Sequence, residues 1–200
     1  MKRINVVKTF LPITFALVII AFIVSHYNLN PLQRNRIFGI PDGHVRVVSP
    51  EPSYFDLLFS RYGTLYFNHY GDGIHVYVAY YMEDELVFHQ NISGFSWGQE
   101  DMLSGTLRWG TSASNGLPDE VVVAISSLGN TQNRFDMEPI DFEVRMFTGP
   151  LFESGEIRRG ERNVLALWSG AGYFWADGNM FESDRLIQSG HTAILYVVFE

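Results

Sequence analysis

Three groups of residues in this 200-residue chain have the types and spacing to do chemistry. The first is "GFSWG", residues 94–98, a G-x-S-x-G pattern that in an α/β-hydrolase sets a nucleophilic serine on a sharp strand-to-helix turn. Ser96 is followed by Asp177 or Asp184 and then by His191, the Ser, Asp, His order of that fold, so Ser96, Asp184 and His191 form a candidate acyl-transfer triad. The motif alone is weak, because glycine makes up 18 of 200 residues and chance matches are common. A doubly wound sheet also needs helices alternating with strands, and the chain shows no such alternation. The expectation for residues 94–98 is therefore a glycine-bracketed turn, with hydrolysis as the alternative.

The second group appears when residues 74–82 and 86–92 are read as a hairpin turning at 83–85. Pairing Met82 with Leu86 puts alternate side chains on opposite faces. One face collects Ile74, Val76, Val78, Tyr80, Met82, Leu86, Phe88 and Ile92, a core layer. The other collects His75, Tyr77, Tyr81, His89 and Asn91, which combine flat ring area with directional hydrogen-bonding groups. That face is a candidate binding surface for a glycan or a protein. The competing expectation is that a loop, or a helix over 54–62, half covers it. Tyr173 and Trp175 in the glycine-rich loop "GYFWADGN" add candidate contacts, whereas Trp168 lies in a strand pattern and reads as core.

The third group is the histidines and carboxylates as metal ligands. None of the six histidines has H-E-x-x-H or comparable spacing. In the hairpin register His89 falls opposite Ala79, about 13 Å from His75 at roughly 3.3 Å per residue, too far to share an ion. "GDG" at 71–73 reads as a turn, and "DMEPIDFE" as an exposed strand face, not a calcium loop. No metal or cofactor is expected.

The elements that must carry these groups are mainly strands. Period-two patterns or short apolar runs occur at 64–68, 74–82, 86–92, 106–109, 121–126, 140–148, 164–168 and 192–199, with turn clusters such as "HYGDG" between them. Residues 121–125 and 194–199 are apolar on both faces and should be central strands. In 140–146, Ile140, Phe142, Val144 and Met146 should face the core while Asp141, Glu143 and Arg145 face water. One short helix is expected over 53–62, with Ser53 as N-cap, Asp56 completing a capping box and Gly63 at its end. The fold class is a mainly β, antiparallel β-sandwich, jelly-roll or Ig-like, over residues 53–200.

Ahead of it, residues 10–24 (FLPITFALVIIAFIV) are uncharged and flanked by Lys2, Arg3 and Lys8, which reads as a transmembrane signal anchor within 1–27, with a cleaved signal peptide as the alternative. The excess of cations before the segment places the body outside the cytoplasmic membrane. Residues 28–52, rich in Pro, Asn, Gly and Arg, read as a juxtamembrane linker. All 22 acidic residues follow the apolar segment, as do 11 of the 14 basic ones, every one an arginine, so the body carries −11. Nucleic acid is an unsuitable partner for such a surface. An all-arginine cation set also suits an alkaline exterior, where lysine would lose charge first. The sequence thus points to a membrane-anchored, non-catalytic binding module, its partner an envelope polysaccharide or another membrane protein.

Overall fold

The computed structural model describes residues 6–30, 36–48, 59, 61–112, 117–127, 129–137, 140–151, 153–171 and 181–200, with side chains of the first helix described from Pro12 onward. It is mainly antiparallel β. The elements are α1 (Val6–His26), β1 (His44–Val48), β2 (Arg61–Met82), β3 (Glu85–Thr111), β4 (Glu120–Ser126), β5 (Asn130–Asp136), β6 (Met146–Thr148), β7 (Gly155–Glu156), β8 (Asn163–Ser169), α2 (Ser183–Ser189) and β9 (His191–Phe199). Among the described residues the strands hydrogen-bond into one sheet in the order β5-β4-β3-β2-β9-β8-β6, with β1 added to β2 and β7 to β1. The architecture is thus one connected, curled sheet.

The curl comes from β2 and β3, which run 22 and 27 residues and are each expected as two shorter strands. The N-terminal half of β2 pairs with β1, from Val48↔Thr64 to His44↔Asn68; its C-terminal half pairs with β9, from Ile74↔Phe199 to Met82↔His191. The partner changes at residues 69–73, the "HYGDG" expected to be a turn. The chain instead bends within the strand, and the ladder to β3 slips between Gly71 and Gly73. A side chain at Gly71 would collide with the carbonyl of Glu200 and the ring of His69, so glycine is what lets β9 end against the bend.

The bend leaves two lobes that share one core. Leu65, Phe67, Leu107, Trp109, Val123 and Ile125 come from one, and Ile74, Val76, Val78, Leu165, Trp168, Leu195 and Phe199 from the other, all within a single buried cluster. Phe67 and Phe199 meet edge to face at 5.6 Å across it. At roughly 25 cal/mol per Å² of apolar surface removed from water, such a cluster is the main stabilising term. β4 and β9 lie inside the sheet with Val121, Val122, Val123, Ile194, Leu195 and Val197 buried, as their two-faced apolarity predicts.

Other expectations change. Tyr62 and Gly63 belong to β2, so the helix expected over 53–62 does not extend through them; residues 53–58 lie outside the described residues. The described short helix α2 comes late in the chain. Residues 140–145 keep the predicted alternation, Ile140 buried and Asp141, Glu143 and Arg145 exposed, yet only Met146–Thr148 joins the ladder. The expected linker holds β1 and a hydrogen-bonded collar.

α1 spans 21 residues, and Ile13, Phe15, Leu17, Val18, Ile20 and Phe22 leave large parts of their side chains exposed around it. Among the described residues no helix is long and apolar enough to cross a membrane.

Candidate functional site

The outward face of the β2–β3 hairpin exists, with a register that reaches the expected result by another route. Met82 pairs with Glu85 and Tyr81 with Leu86; Val87 is then bulged out, and Ala79 faces His89 as predicted. A second slip near Tyr77 pairs it with Asn91. The core layer stops short of the hairpin tip, where Met82 and Leu86 are about half exposed instead of buried. The reason is geometric: no element described packs beyond the last β9 pair, Met82↔His191.

Along this face the character grades from polar to apolar. At the polar end His75 is clamped by three groups: Ser96 Oγ lies 2.9 Å from its Nε2, Asn91 Nδ2 lies 3.0 Å from its Nδ1, and Glu200 Oε2 lies 3.4 Å from Nε2. Two glycines make room for the ring. A Cβ at Gly94 would collide with the Ile74 carbonyl and meet His75 Nδ1 at 2.9 Å, and one at Gly73 would press on His75 Nε2 and Ser96 Oγ at 3.0 and 3.3 Å.

In the middle, Tyr77 stacks on His89 and Tyr196 with centroids 5.2 and 5.3 Å away, and the Tyr196 hydroxyl meets His89 Nε2 at 2.7 Å. Arg162 lies over the rings of Phe181 and Tyr196 at 4.7 and 5.7 Å. Burial, with the Arg162 charge added, holds His89 below the ordinary imidazole range, and burial raises the Tyr196 hydroxyl. At the apolar end Tyr81 is buried with Leu167, Leu186, Ile194 and Tyr196 under α2. Among the described residues the helix that covers this face is α2.

Ser96 does not sit on a hydrolase elbow. It lies inside β3, opposite Gly73, where β3 carries extra residues between the Gly73↔Ser96 and Gly71↔Asp101 pairs. Gly98 takes φ +72° in that bulge, so the glycine-bracketed bend is real but is a strand irregularity. His191 pairs with Met82, nine positions along β2 from Gly73, which puts it roughly 30 Å from Ser96 at about 3.3 Å per residue. Its Nδ1 accepts from or donates to the Tyr80 hydroxyl at 2.7 Å, and its ring stacks on Tyr80 and Phe142. Asp184 is on α2, at that same far end. The candidate triad is not assembled, and the histidine beside Ser96 is His75.

The proton on that histidine matters. With the Asn91 amide nitrogen against Nδ1, Nδ1 must accept, so Nε2 carries the hydrogen and donates toward Ser96 and Glu200. A general base for Ser96 needs the reverse, with Asn91 turned to present its oxygen.

Tyr173, Trp175 and Asp177 lie outside the described residues. Tyr196, Arg162, Phe181 and Glu200 were not found from sequence. Only Tyr196 carried a signal, as the one hydroxyl in the apolar run of β9. Among the described residues no three metal-ligating side chains gather. No family model, curated protein or solved structure was found to match the chain.

Proposed function

We propose that this protein is a single-pass, N-terminally anchored, non-catalytic binding module that works outside the cytoplasmic membrane, with the polar end of the hairpin face as its contact surface. The observation that carries the reading is the stretch 86–99: fourteen positions without a charged side chain, in a chain that is 18% charged, with Asn91, Ser96 and Trp97 exposed along it. Uncharged donors and acceptors, in a strand that also carries the half-exposed Trp97 indole tilted against Phe95, suit the hydroxyls and ring faces of an envelope glycan better than they suit an ion or a nucleic acid. The sheath of exposed apolar side chains around α1, unsuited to water, supports the anchor. Another membrane protein is the other partner class.

The test is retention of the full-length protein, in nanodiscs, on immobilised envelope polysaccharide. Trp97→Ala and Asn91→Ala should lower it several-fold; unchanged retention would overturn the reading. Tyr81→Ala is unsuitable because that ring is buried and its loss reports on folding. Protease added outside intact cells should digest the body, and a protected body would refute the orientation.

One distance favours a second reading, a serine hydrolase using Ser96 with His75: their 2.9 Å contact. Labelling by a fluorophosphonate probe that vanishes in both Ser96→Ala and His75→Ala would establish it; the binding-module reading expects no labelling.

A further inference from the structure

We infer that the outer face of the other lobe is a second binding surface, and that its ligand is an acidic glycan, a sugar chain bearing carboxylates. The inference stands apart from the hairpin face, since it concerns different strands and a ligand of different charge.

The sheet registers bring two rows of side chains to this face. One runs Arg46, Tyr66, Thr106, Ser126, Asn130 across β1 to β5; the other runs Thr64, Arg108, Ala124, Gln132 across β2 to β5. Their neighbours Leu65, Phe67, Leu107, Val123 and Ile125 are buried in the core, which by the period of a strand turns these rows outward. Because Ala124 offers only a methyl between Arg108 and Gln132, the face sinks there into a trough of about 400 Å³, walled by Thr106, Arg108, Ser126, Asn130 and Gln132.

Charge identifies the occupant. The body has twice as many acidic as basic residues, and Arg36, Arg134, Arg145, Arg158, Arg159 and Arg185 each have a carboxylate within 4.0 Å. Among the described residues Arg46, Arg108 and Arg162 show none; Arg162 lies over the Phe181 and Tyr196 rings, and Arg46 lies 5.9 Å from the Tyr66 ring centroid. Arg46 and Arg108 thus share one face without a carboxylate neighbour among the described residues, about 12 Å apart at Cα by strand spacing and rise. A guanidinium pairs with a carboxylate through two parallel hydrogen bonds. The Thr64 and Thr106 hydroxyls between the two, and the Ser126, Asn130 and Gln132 groups of the trough beyond Arg108, suit sugar hydroxyls, and the Tyr66 ring suits a sugar face. A nucleic acid, with a charge at every phosphate, would meet repulsion from the rest of the body, whereas a sparsely charged glycan needs only two cations.

The experiment is titration of full-length protein in zwitterionic nanodiscs with a tetramer alternating glucuronic acid and N-acetylglucosamine, which carries two carboxylates, alongside the neutral N-acetylglucosamine tetramer. The acidic tetramer should bind, weaken as salt is added, and bind roughly tenfold or more weakly to Arg108→Gln and to Arg46→Gln. Trp97→Ala should leave it unchanged, which separates this surface from the hairpin face. Four outcomes would each overturn the inference: no binding of the acidic tetramer, equal binding of the neutral one, full binding by both arginine variants, or binding of oligoglutamate in place of the sugar. Circular dichroism of the variants, both at outward positions, confirms that they are folded.

Discussion

Asn28 and Asn68 donate to the same acceptor, the main-chain carbonyl of Ile40, at 2.6 and 2.7 Å. Asn28, buried and left-handed at φ +51°, sits just past the end of α1; Asn68 is on β2. The Asn68 amide oxygen also accepts from the Ile37 N–H, and Asn28 and Arg36 both donate to Asp42. Those donors, with the Arg36 charge, hold the Asp42 carboxyl below its usual range even though burial, the largest single influence, pushes the other way. The segment read as a linker is thus a joint that fixes the helix to the sheet.

Replacing Asn68 with Ala leaves the Ile37 N–H and the Ile40 carbonyl without this partner, and should cost roughly 1–3 kcal/mol in urea unfolding. Asn28→Ala should act on the joint more than on the core. Spin labels at Ile20 and Thr106 should give a broader distance distribution in that variant, and an unchanged distribution would show that the collar does not hold α1.

β9 lies inside the sheet: Leu195, Val197 and Phe199 are fully buried, and the Glu200 N–H and carbonyl bond to Gly73 and Asp72. Deleting residues 195–200 should abolish cooperative folding, and a truncated protein that still melts cooperatively would contradict this. Phe199→Ala alone should cost about 3–5 kcal/mol, since its ring packs on Phe67 and His69.

Gly94→Ala should be destabilising by roughly 1–3 kcal/mol or more, because φ is +150° and the new methyl meets the Ile74 carbonyl. It should also push the His75 ring away from Asn91, visible as a changed His75 imidazole resonance in NMR. A resonance that stays put would show that the glycine serves only the backbone.

His69 and His89 both hold their protons less tightly than free imidazole, with burial the largest cause in each. The Nε2 of His69 donates to the Glu200 carbonyl in the neutral form. The unfolded chain therefore takes up protons first as pH falls. Stability from these groups is complete above the unfolded value near 6.5, declines as the pH drops below it, and levels off below the folded values. The melting temperature should fall between about pH 7.5 and about pH 5, and His69→Gln should flatten the slope. An identical slope in the variant would remove His69 from the account.

Strand character was legible because it is local. Alternation at 140–146 and two-sided apolarity at 121–125 and 194–199 depend only on neighbours in sequence, and burial follows them even where no ladder forms. The aromatic and polar residues of the hairpin face were legible too, since a one-turn hairpin imposes its own register. What the tertiary structure decided lies farther apart along the chain. The exchange of β1 for β9 at Gly71, the placement of Ser96 beside His75 instead of His191, the cover of Tyr81 by α2 and the meeting of Arg46 and Arg108 on one face all depend on which distant strands pair. Pairing is chosen by the fit of the whole core and by bulges that cost a residue here and recover it there, and no local pattern carries that information.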